Sequence, residues 1–274
     1  MRNKGRDDIM IKSKTSRADH LRKDTAYLSA KKVKAAGGTV VDLQFKKYIN
    51  DFAKTVSDIV DANYELQEAY LDSVRRLVLA AEYKDEDTGD HTTRIGRYSA
   101  LMAEKLGLPK KAVQNILHAS PMHDVGKIGI PDSILLKPGK LTDKEFEIIK
   151  THTTIGADIL ADAGTELLQA AQLIAVSHHE NWNGKGYPQG LAGENIPLMG
   201  RIVKLVDVFD ALTSRRPYQA PYPVETACDI IMRERGKQFD PALVDIFMAS
   251  IGEIIKIKEE VGSPEETRVP DFIY

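Results

Sequence analysis

The sequence predicts an all-α protein, and three observations carry this prediction. No run of strand length alternates apolar and polar residues with a period of two. Apolar residues recur instead at spacings of three and four through one segment after another, which is the spacing of one helix face. The glycine patterns typical of Rossmann and P-loop nucleotide sites do not occur. The helical segments are too numerous for a simple four-helix bundle.

The composition is that of an ordinary globular protein. The 274 residues are 42% hydrophobic and 28% charged, and the net charge of −2 does not point to a nucleic acid polymer or a membrane as a partner. The single cysteine, Cys228, excludes an intramolecular disulfide and a cysteine-based zinc site. No apolar stretch approaches the length of a membrane span, and the N-terminus lacks the apolar region of a signal peptide. We therefore expect a cytoplasmic protein.

The first two segments differ in charge and periodicity. Residues 1–38 carry 11 Lys and Arg against 4 Asp and Glu, so we interpret residues 1–41 as a basic flexible leader. No proline or glycine interrupts the chain from residue 42 to residue 83, and residues 42–72 are predicted to form a long helix. Apolar residues follow a heptad spacing here, at Ile49, Phe52, Val56, Ile59, Leu66, Tyr70, Leu77 and Ala80.

The long helix is a candidate coiled coil. Asn63 falls on the same seam as Ile49, Val56, Tyr70 and Leu77. A buried asparagine at such a position fixes the register and favours two strands, at some cost in stability. We therefore expect a homodimer through residues 42–72. The alternative is that this helix packs on the chain's own domain, but five heptads exceed the length of most helices in globular proteins.

The remaining helical segments define a domain at residues 73–254, followed by a tail at 255–274. Pro109 opens one of these helices, and Thr142 with Glu145 forms a capping-box pattern at the start of another. In chain order the segments read "TRIGRYSALMAEKLGL", "PKKAVQNILHASPMHD", "TDKEFEIIKTHTTIGADIL", "LLQAAQLIAVSHH", "LMGRIVKLVDVFDALTS", "VETACDIIMRER" and "PALVDIFMASIGEII".

Five histidines lie beside polar or acidic residues near the ends of these predicted helices: His91, His123, His152, His178 and His179. Asp124 follows His123 directly, and Asp87 precedes His91 by four residues, which places both on one face if that turn is helical. Asp207 interrupts an apolar helix, where a carboxylate is costly to bury unless it is paired or binds a metal. This set of nitrogen and oxygen donors suits Mn or Fe better than a structural zinc ion.

Eight candidate ligands exceed what one ion requires. A carboxylate can bridge two ions and an imidazole cannot, so we expect two or three divalent metals with Asp124 as the bridge. A hydroxide held between two metals is a nucleophile at neutral pH, and this predicts a metal-dependent phosphohydrolase. On spacing alone, the alternative is that the histidines are structural.

Three stretches resemble the HD-GYP domain, a bacterial branch of the HD phosphohydrolase superfamily. They are "MHDVGKIGIPDSILLKPGKLTDKEFEIIKTHTTIG", "HHENWNGKGYP" and "RIVKLVDVFDALTSRRPY", and the resemblance extends over about 73–254. It implies an all-α, HD-superfamily multi-helix domain preceded by the long helix. It also implies hydrolysis of cyclic di-GMP to pGpG, and in some members on to GMP.

The resemblance also implies residue roles. His123 and Asp124 form the HD pair, with Asp124 bridging the metals, and His152, His178, His179 and Asp207 complete a two-metal core. A third ion would use Asp87 and His91, although Asp87 stands where glutamate is usual. The implied catalytic residues are Asp124 and Lys127. The implied substrate contacts are Lys127, Tyr187, Gly186 and Arg216, while Gln219 stands where many members carry a basic residue.

Several alternatives stay open at this point. The domain could be a non-catalytic cyclic-dinucleotide sensor, although the complete set of ligands argues against that. Its substrate could be another cyclic dinucleotide, such as cyclic GMP-AMP, or a different phosphoester. Trp182 either packs the loop or stacks on guanine, and Glu180 either orients a ligand or faces solvent. Residues 1–72 show no receiver or other sensory domain. The expectation is therefore either a separate sensory or receiver partner, or a chain that is standalone or truncated from a larger sensor protein.

Overall fold

The structure is a computed structural model that describes residues 40–82, 84, 89–215 and 220–261. Within these ranges no β-strand occurs, and the extended segments form only isolated bridges, at Asn183 with Ala192 and at Arg235 with Phe239. The all-α prediction is therefore confirmed. No helix among the described residues has the length and hydrophobicity that a membrane crossing requires. The predicted leader lies outside the described residues, apart from Val40 and Val41.

Helix α1 spans Val40–Glu82 and begins two residues before the predicted start. The chain divides into two units, residues 1–74 and 75–274, and α1 crosses this boundary. In the first unit, Phe52, Ile59 and Leu66 on the predicted seam are 59%, 54% and 68% exposed. The amide of Asn63 donates a hydrogen bond to the carbonyl of Ile59 in its own helix, at 3.0 Å.

The second unit consists of helices joined by short connections. Its α-helices after α1 are α2 Gly89–Lys105, α3 Lys110–Ala119, α4 Asp132–Leu135, α5 Asp143–Lys150, α6 His152–Ile159, α7 Glu166–Ser177, α8 Leu198–Thr213, α9 Val224–Arg233, α10 Pro241–Ala249 and α11 Ile251–Val261. Short 3₁₀ helices lie at Ser120–Met122, Val125–Gly129 and Gly193–Asn195. Asp143 begins α5 after the N-cap Thr142, whose predicted capping box with Glu145 is present.

The core of the second unit lies between four helices. Helix α2 packs against α3 and α8, and α7 packs against α3 and α8. Tyr98, Phe209 and Phe247 are fully buried, and their rings meet edge to face with centroids 6.0 and 5.1 Å apart. A side chain at Gly200 would bring Cβ to 2.1 Å from the hydroxyl of Ser177, so only glycine permits this close approach of α8 to α7.

Helix α11 extends past the predicted boundary between the domain and the tail. Helix α11 continues to Val261, seven residues beyond the expected end of the domain at residue 254. Ile254, Ile257 and Val261 are buried, and their spacing of three and four places them on one helix face. The segment 255–261 is therefore part of the packed domain, and the rest of the predicted tail, residues 262–274, lies outside the described residues.

Candidate metal centre

The candidate ligands lie where helices end and meet. His123 and Asp124 occupy the link between two 3₁₀ helices, Ser120–Met122 and Val125–Gly129. His152 is the first residue of α6, and His178 caps the end of α7, directly before His179. His91 projects from α2 and Asp207 from α8, two helices that pack on one another. The fold thus brings together residues that lie up to 116 positions apart.

The donor atoms form two groups, and within each group they lie no more than 4.8 Å apart. The first consists of Asp124, His152, His178 and His179, and the second of His91, His123 and Asp207. In the second group, Asp207 Oδ1 lies 3.7 Å from His91 Nε2 and 3.9 Å from His123 Nε2. His91 therefore lies beside His123 and Asp207, two residues that the resemblance assigned to the two-metal core. The resemblance had placed His91 itself at a third ion.

Asp124 lies between the two groups. Its Oδ1 is 3.3 Å from His152 Nε2 and 3.4 Å from His178 Nε2, while its Oδ2 is 3.4 Å from His123 Nε2. Among the described residues, neither Asp124 Oδ1 nor His123 Nε2 has a hydrogen-bond partner, although both are buried. Burying such atoms without a partner is costly, and a cation in each group would satisfy them. The residues present fit divalent metals.

The histidine rings are oriented by backbone carbonyls. Nδ1 of His123 faces the carbonyl of Ser120 at 3.0 Å, and Nδ1 of His152 faces that of Ile149 at 2.6 Å. His178 Nδ1 lies 3.1 Å from two carbonyls at the end of α7. Because a carbonyl only accepts, these contacts place the proton of the neutral imidazole on Nδ1 and direct Nε2 toward the centre, as metal-binding histidines require.

His91 is oriented by a carboxylate instead. Its Nδ1 lies 2.8 Å from Asp210 Oδ2, and Arg94 donates to both oxygens of this fully buried carboxylate at 2.6 and 2.9 Å. Burial would lower the pKa of His91, but the hydrogen bond to Asp210 and the negative charges of Asp207 and Asp210 together outweigh burial and raise it. The support of His91 by Asp210 was not among the expectations from the sequence. The available signal was spacing, since Asp210 follows Asp207 by three residues on the same helix face.

Electrostatics keeps three of the donors, Asp124, His178 and His179, in the form that binds a cation. Burial would raise the pKa of Asp124, but the ammonium of Lys127, 2.6 Å away, holds it well below its usual value. Burial lowers the pKa values of His178 and His179, so both are neutral. Burial also opposes protonation of His123, yet the neighbouring Asp124 raises its pKa to about 9. A metal ion at His123 would have to displace that proton.

An open pocket adjoins the second group and Asp124 of the first group. His91, His123, Asp124 and Lys127 line it, together with Val78, Ala81 and Glu82 from the end of α1. The ammonium of Lys127 thus faces the same space as donors of both groups. This arrangement allows a phosphate in the pocket to contact a cation of the chain and the metal centre together.

The structure describes only some of the residues that the resemblance implied as substrate contacts. The ring of Tyr187 stacks on that of His179, with centroids 4.7 Å apart and planes 20° apart. A Cβ at Gly186 would lie 2.2 Å from the backbone nitrogen of Asn181, so packing against the backbone already requires this glycine. Asp87, Arg216 and Gln219 lie outside the described residues, and their implied roles stay predictions.

The side chain of Glu180 stabilises the loop that follows His179. This carboxylate is buried and accepts hydrogen bonds from the backbone N–H groups of Gln189, Gly190 and Leu191 at 2.7 to 3.1 Å. Glu180 therefore neither faces solvent nor orients a ligand. Trp182 donates its backbone N–H to Gln238, and the guanidinium of Arg201 lies 5.7 Å from its ring centroid. These contacts agree with the packing interpretation of Trp182.

Known proteins resemble this chain over the second unit. A family model described as an HD domain matches residues 77–243. The chain is 45% identical over 193 residues to a cyclic di-GMP phosphodiesterase of Thermotoga maritima, covering 70% of this chain and 52% of the relative. It is 43% identical over 193 residues to the cyclic di-GMP phosphodiesterase response regulator RpfG of Xanthomonas campestris, covering 70% and 51%. The chain thus spans about half the length of these relatives.

Two further similarities come from Vibrio cholerae. A 3'3'-cGAMP-specific phosphodiesterase is 41% identical over 194 residues, which cover 71% of this chain and 37% of the relative. A crystal structure titled as a cyclic GMP-AMP specific phosphodiesterase superposes with a TM-score of 0.52 at 21% identity, covering 70% of this chain and 51% of that chain. At this identity the likeness shows the fold alone.

Proposed function

Because the chain belongs to the HD domain family, we propose that it is a metal-dependent phosphodiesterase that hydrolyses cyclic di-GMP to pGpG, with GMP as a further product. The observation that carries the proposal is the position of Asp124, whose two oxygens face two separate groups of donor atoms. The names of the relatives in Thermotoga and Xanthomonas support the substrate.

The donor set favours Mn or Fe over other metals. It contains imidazole nitrogens and carboxylate oxygens and no thiolate, which suits ions that accept mixed nitrogen and oxygen ligands. Two groups accommodate two ions, and a third would depend on Asp87. When bound, such ions supply an activated water at neutral pH and neutralise charge on the phosphoryl oxygens.

The chain's own residues position the donors and the substrate. Asp124 holds the two groups together, and the carbonyls behind His123, His152 and His178 fix their rings. Lys127, whose side chain is 20% exposed, directs its ammonium into the pocket, where it would contact a phosphate oxygen. The ring of Tyr187 covers one face of His179 and limits access of bulk water from that side.

Product analysis with purified protein tests the proposal. The full chain loaded with Mn²⁺ or Fe²⁺ is incubated with cyclic di-GMP, 3'3'-cGAMP or a nucleoside triphosphate, and products are separated by chromatography. We expect pGpG from cyclic di-GMP. Binding without turnover would indicate a sensor, and turnover of the triphosphate alone would indicate another phosphohydrolase. The relative from Vibrio cholerae makes 3'3'-cGAMP the second candidate substrate.

Lys127→Ala should reduce kcat/KM about 10- to 100-fold and leave the metal content unchanged. The substitution removes one phosphate contact but none of the donors. Steady-state kinetics together with metal analysis measure both effects. Lys140→Ala, at an exposed lysine of a nearby loop, is the control and should behave as wild type. If Lys127→Ala lost its metal, the lysine would act on the donor groups rather than on the substrate.

Association through α1 is part of the same proposal. The apolar side chains of Phe52, Ile59 and Leu66 are exposed along one seam, which soluble proteins tend to cover, and a second copy of the helix matches that seam. Light scattering should give a dimer for the full chain and a monomer for a chain that begins near Ser73. A monomeric full chain at micromolar concentration contradicts the dimer, and a dimeric truncated chain places association elsewhere. A separate sensory or receiver partner stays a prediction.

A further inference from the structure

Helix α5 places an aromatic ring and a cation beside Tyr187. The ring centroids of Phe146 and Tyr187 lie 6.3 Å apart, with planes 80° apart. Lys150 Nζ lies 5.1 Å from the centroid of Phe146 and 5.5 Å from that of Tyr187. Since Tyr187 stacks on His179, a row of three rings leads from a candidate metal ligand outward to Phe146.

Phe146 is the outer end of this row. It is 44% exposed, so part of its surface is available to a ligand. An exposed phenylalanine alone is common on protein surfaces and needs no function. Phe146 differs from such residues because it contacts Tyr187, which in turn stacks on His179 at the site where the phosphodiester would be cleaved.

Local interactions fix this part of the helix. The capping box of Thr142 and Glu145 holds its first turn, and Lys137 lies 2.7 and 2.8 Å from the two oxygens of Glu145. At the other end, Glu147 lies 2.6 Å from Lys150 Nζ and orients this ammonium. The ring and the cation are therefore presented on a rigid element rather than on a loop.

We propose that Phe146 and Lys150 form a subsite for one guanine base of the cyclic dinucleotide, an inference that rests on the proposed function and adds its base selectivity. Stacking on an aromatic ring accepts every base, so Phe146 supplies affinity without selectivity. Lys150 supplies the selectivity, because guanine presents two acceptors, O6 and N7, on one edge. Adenine presents an amino donor at the position of O6, which the ammonium cannot satisfy.

Kinetics with three substrates separate the two contributions. The Mn²⁺-loaded full chain is assayed with cyclic di-GMP, 3'3'-cGAMP and cyclic di-AMP. Phe146→Ala should raise KM about 10-fold for all three substrates without a comparable change in kcat, and Phe146→Trp should restore the wild-type KM. Lys150→Ala should reduce the preference for cyclic di-GMP over cyclic di-AMP about 10-fold. Lys144→Ala, at an exposed lysine of the same helix, is the matched control and should change neither quantity.

The outcomes that overturn the subsite are specific. The subsite is contradicted if the Phe146 and Lys150 variants are active with unchanged KM values and an unchanged preference for cyclic di-GMP. An equal loss of this preference in Lys144→Ala would show that the effect comes from overall charge and not from a contact of Lys150. If Phe146→Ala does not fold, Phe146→Leu replaces it. A wild type that hydrolyses none of the three substrates refutes the proposed function instead. Calorimetric titration of wild type and Lys150→Ala with cyclic di-GMP and cyclic di-AMP then still decides the subsite.

Discussion

Asp124→Asn should abolish hydrolysis of cyclic di-GMP, with a loss in kcat of about 1,000-fold or more, which corresponds to about 4 kcal/mol of transition-state stabilisation. The carboxylate is the group whose two oxygens face both sets of donors. An amide retains the shape but loses the negative charge and the second anionic oxygen, so it cannot bridge two cations. Product formation and bound Mn²⁺ are measured on the same preparation.

The control for this substitution is Asp158→Asn, which replaces an exposed carboxylate on α6 and should leave kcat unchanged. Lys127 pairs with Asp124, so the substitution also removes a charged partner of this ammonium. The kinetics and metal content of Lys127→Ala measure that contribution separately, because this variant loses the ammonium and keeps the carboxylate of Asp124. Turnover near the wild-type rate by Asp124→Asn with its full metal content would contradict the bridging role.

The helices and the candidate ligands could be predicted because each left a local pattern. Helical periodicity predicted the helices, and the capping box of Thr142 and Glu145 predicted the start of α5. Both features are present in the structure. The ligands interrupt those patterns: His152 begins a helix, and His178 ends one. Five histidines near helix ends, several of them beside acidic residues, form a pattern that can be recognised in the sequence.

The support of the ligands could not be predicted in the same way. Asp210 is an acid within an apolar helix and could equally have been a cap, an exposed residue or a ligand. Only the contact of α2 with α8 makes it the partner of His91 and Arg94. Glu180 is similar, because its hydrogen bonds to the loop depend on how residues 189–191 fold back. Long-range pairing of this kind has no local periodicity.

Asp210→Asn should weaken one bound Mn²⁺ about 10- to 100-fold and leave the other unchanged. Among the donors that the structure describes, Asp210 is hydrogen-bonded to His91, so its effect is expected in the group of His91, His123 and Asp207. The amide can turn its NH₂ toward Nδ1 of His91, which would favour the wrong tautomer, and partners of this kind typically contribute such factors to metal affinity. Mn²⁺ titration with detection of the free ion resolves the two affinities.

His178→Ala should give the complementary result, because its ring belongs to the other group, with Asp124 and His152. The matched control is Asp240→Asn, since Asp240 forms a buried pair with Arg201, at 2.6 Å, and is bonded to none of the described donors of the metal centre. If Asp240→Asn weakened the same ion, the loss would reflect general destabilisation. If Asp210→Asn and His178→Ala weakened one and the same ion, the donors would form a single site. Two separate losses would establish that Asp124 stands between two ions, the arrangement on which the proposed hydrolysis depends.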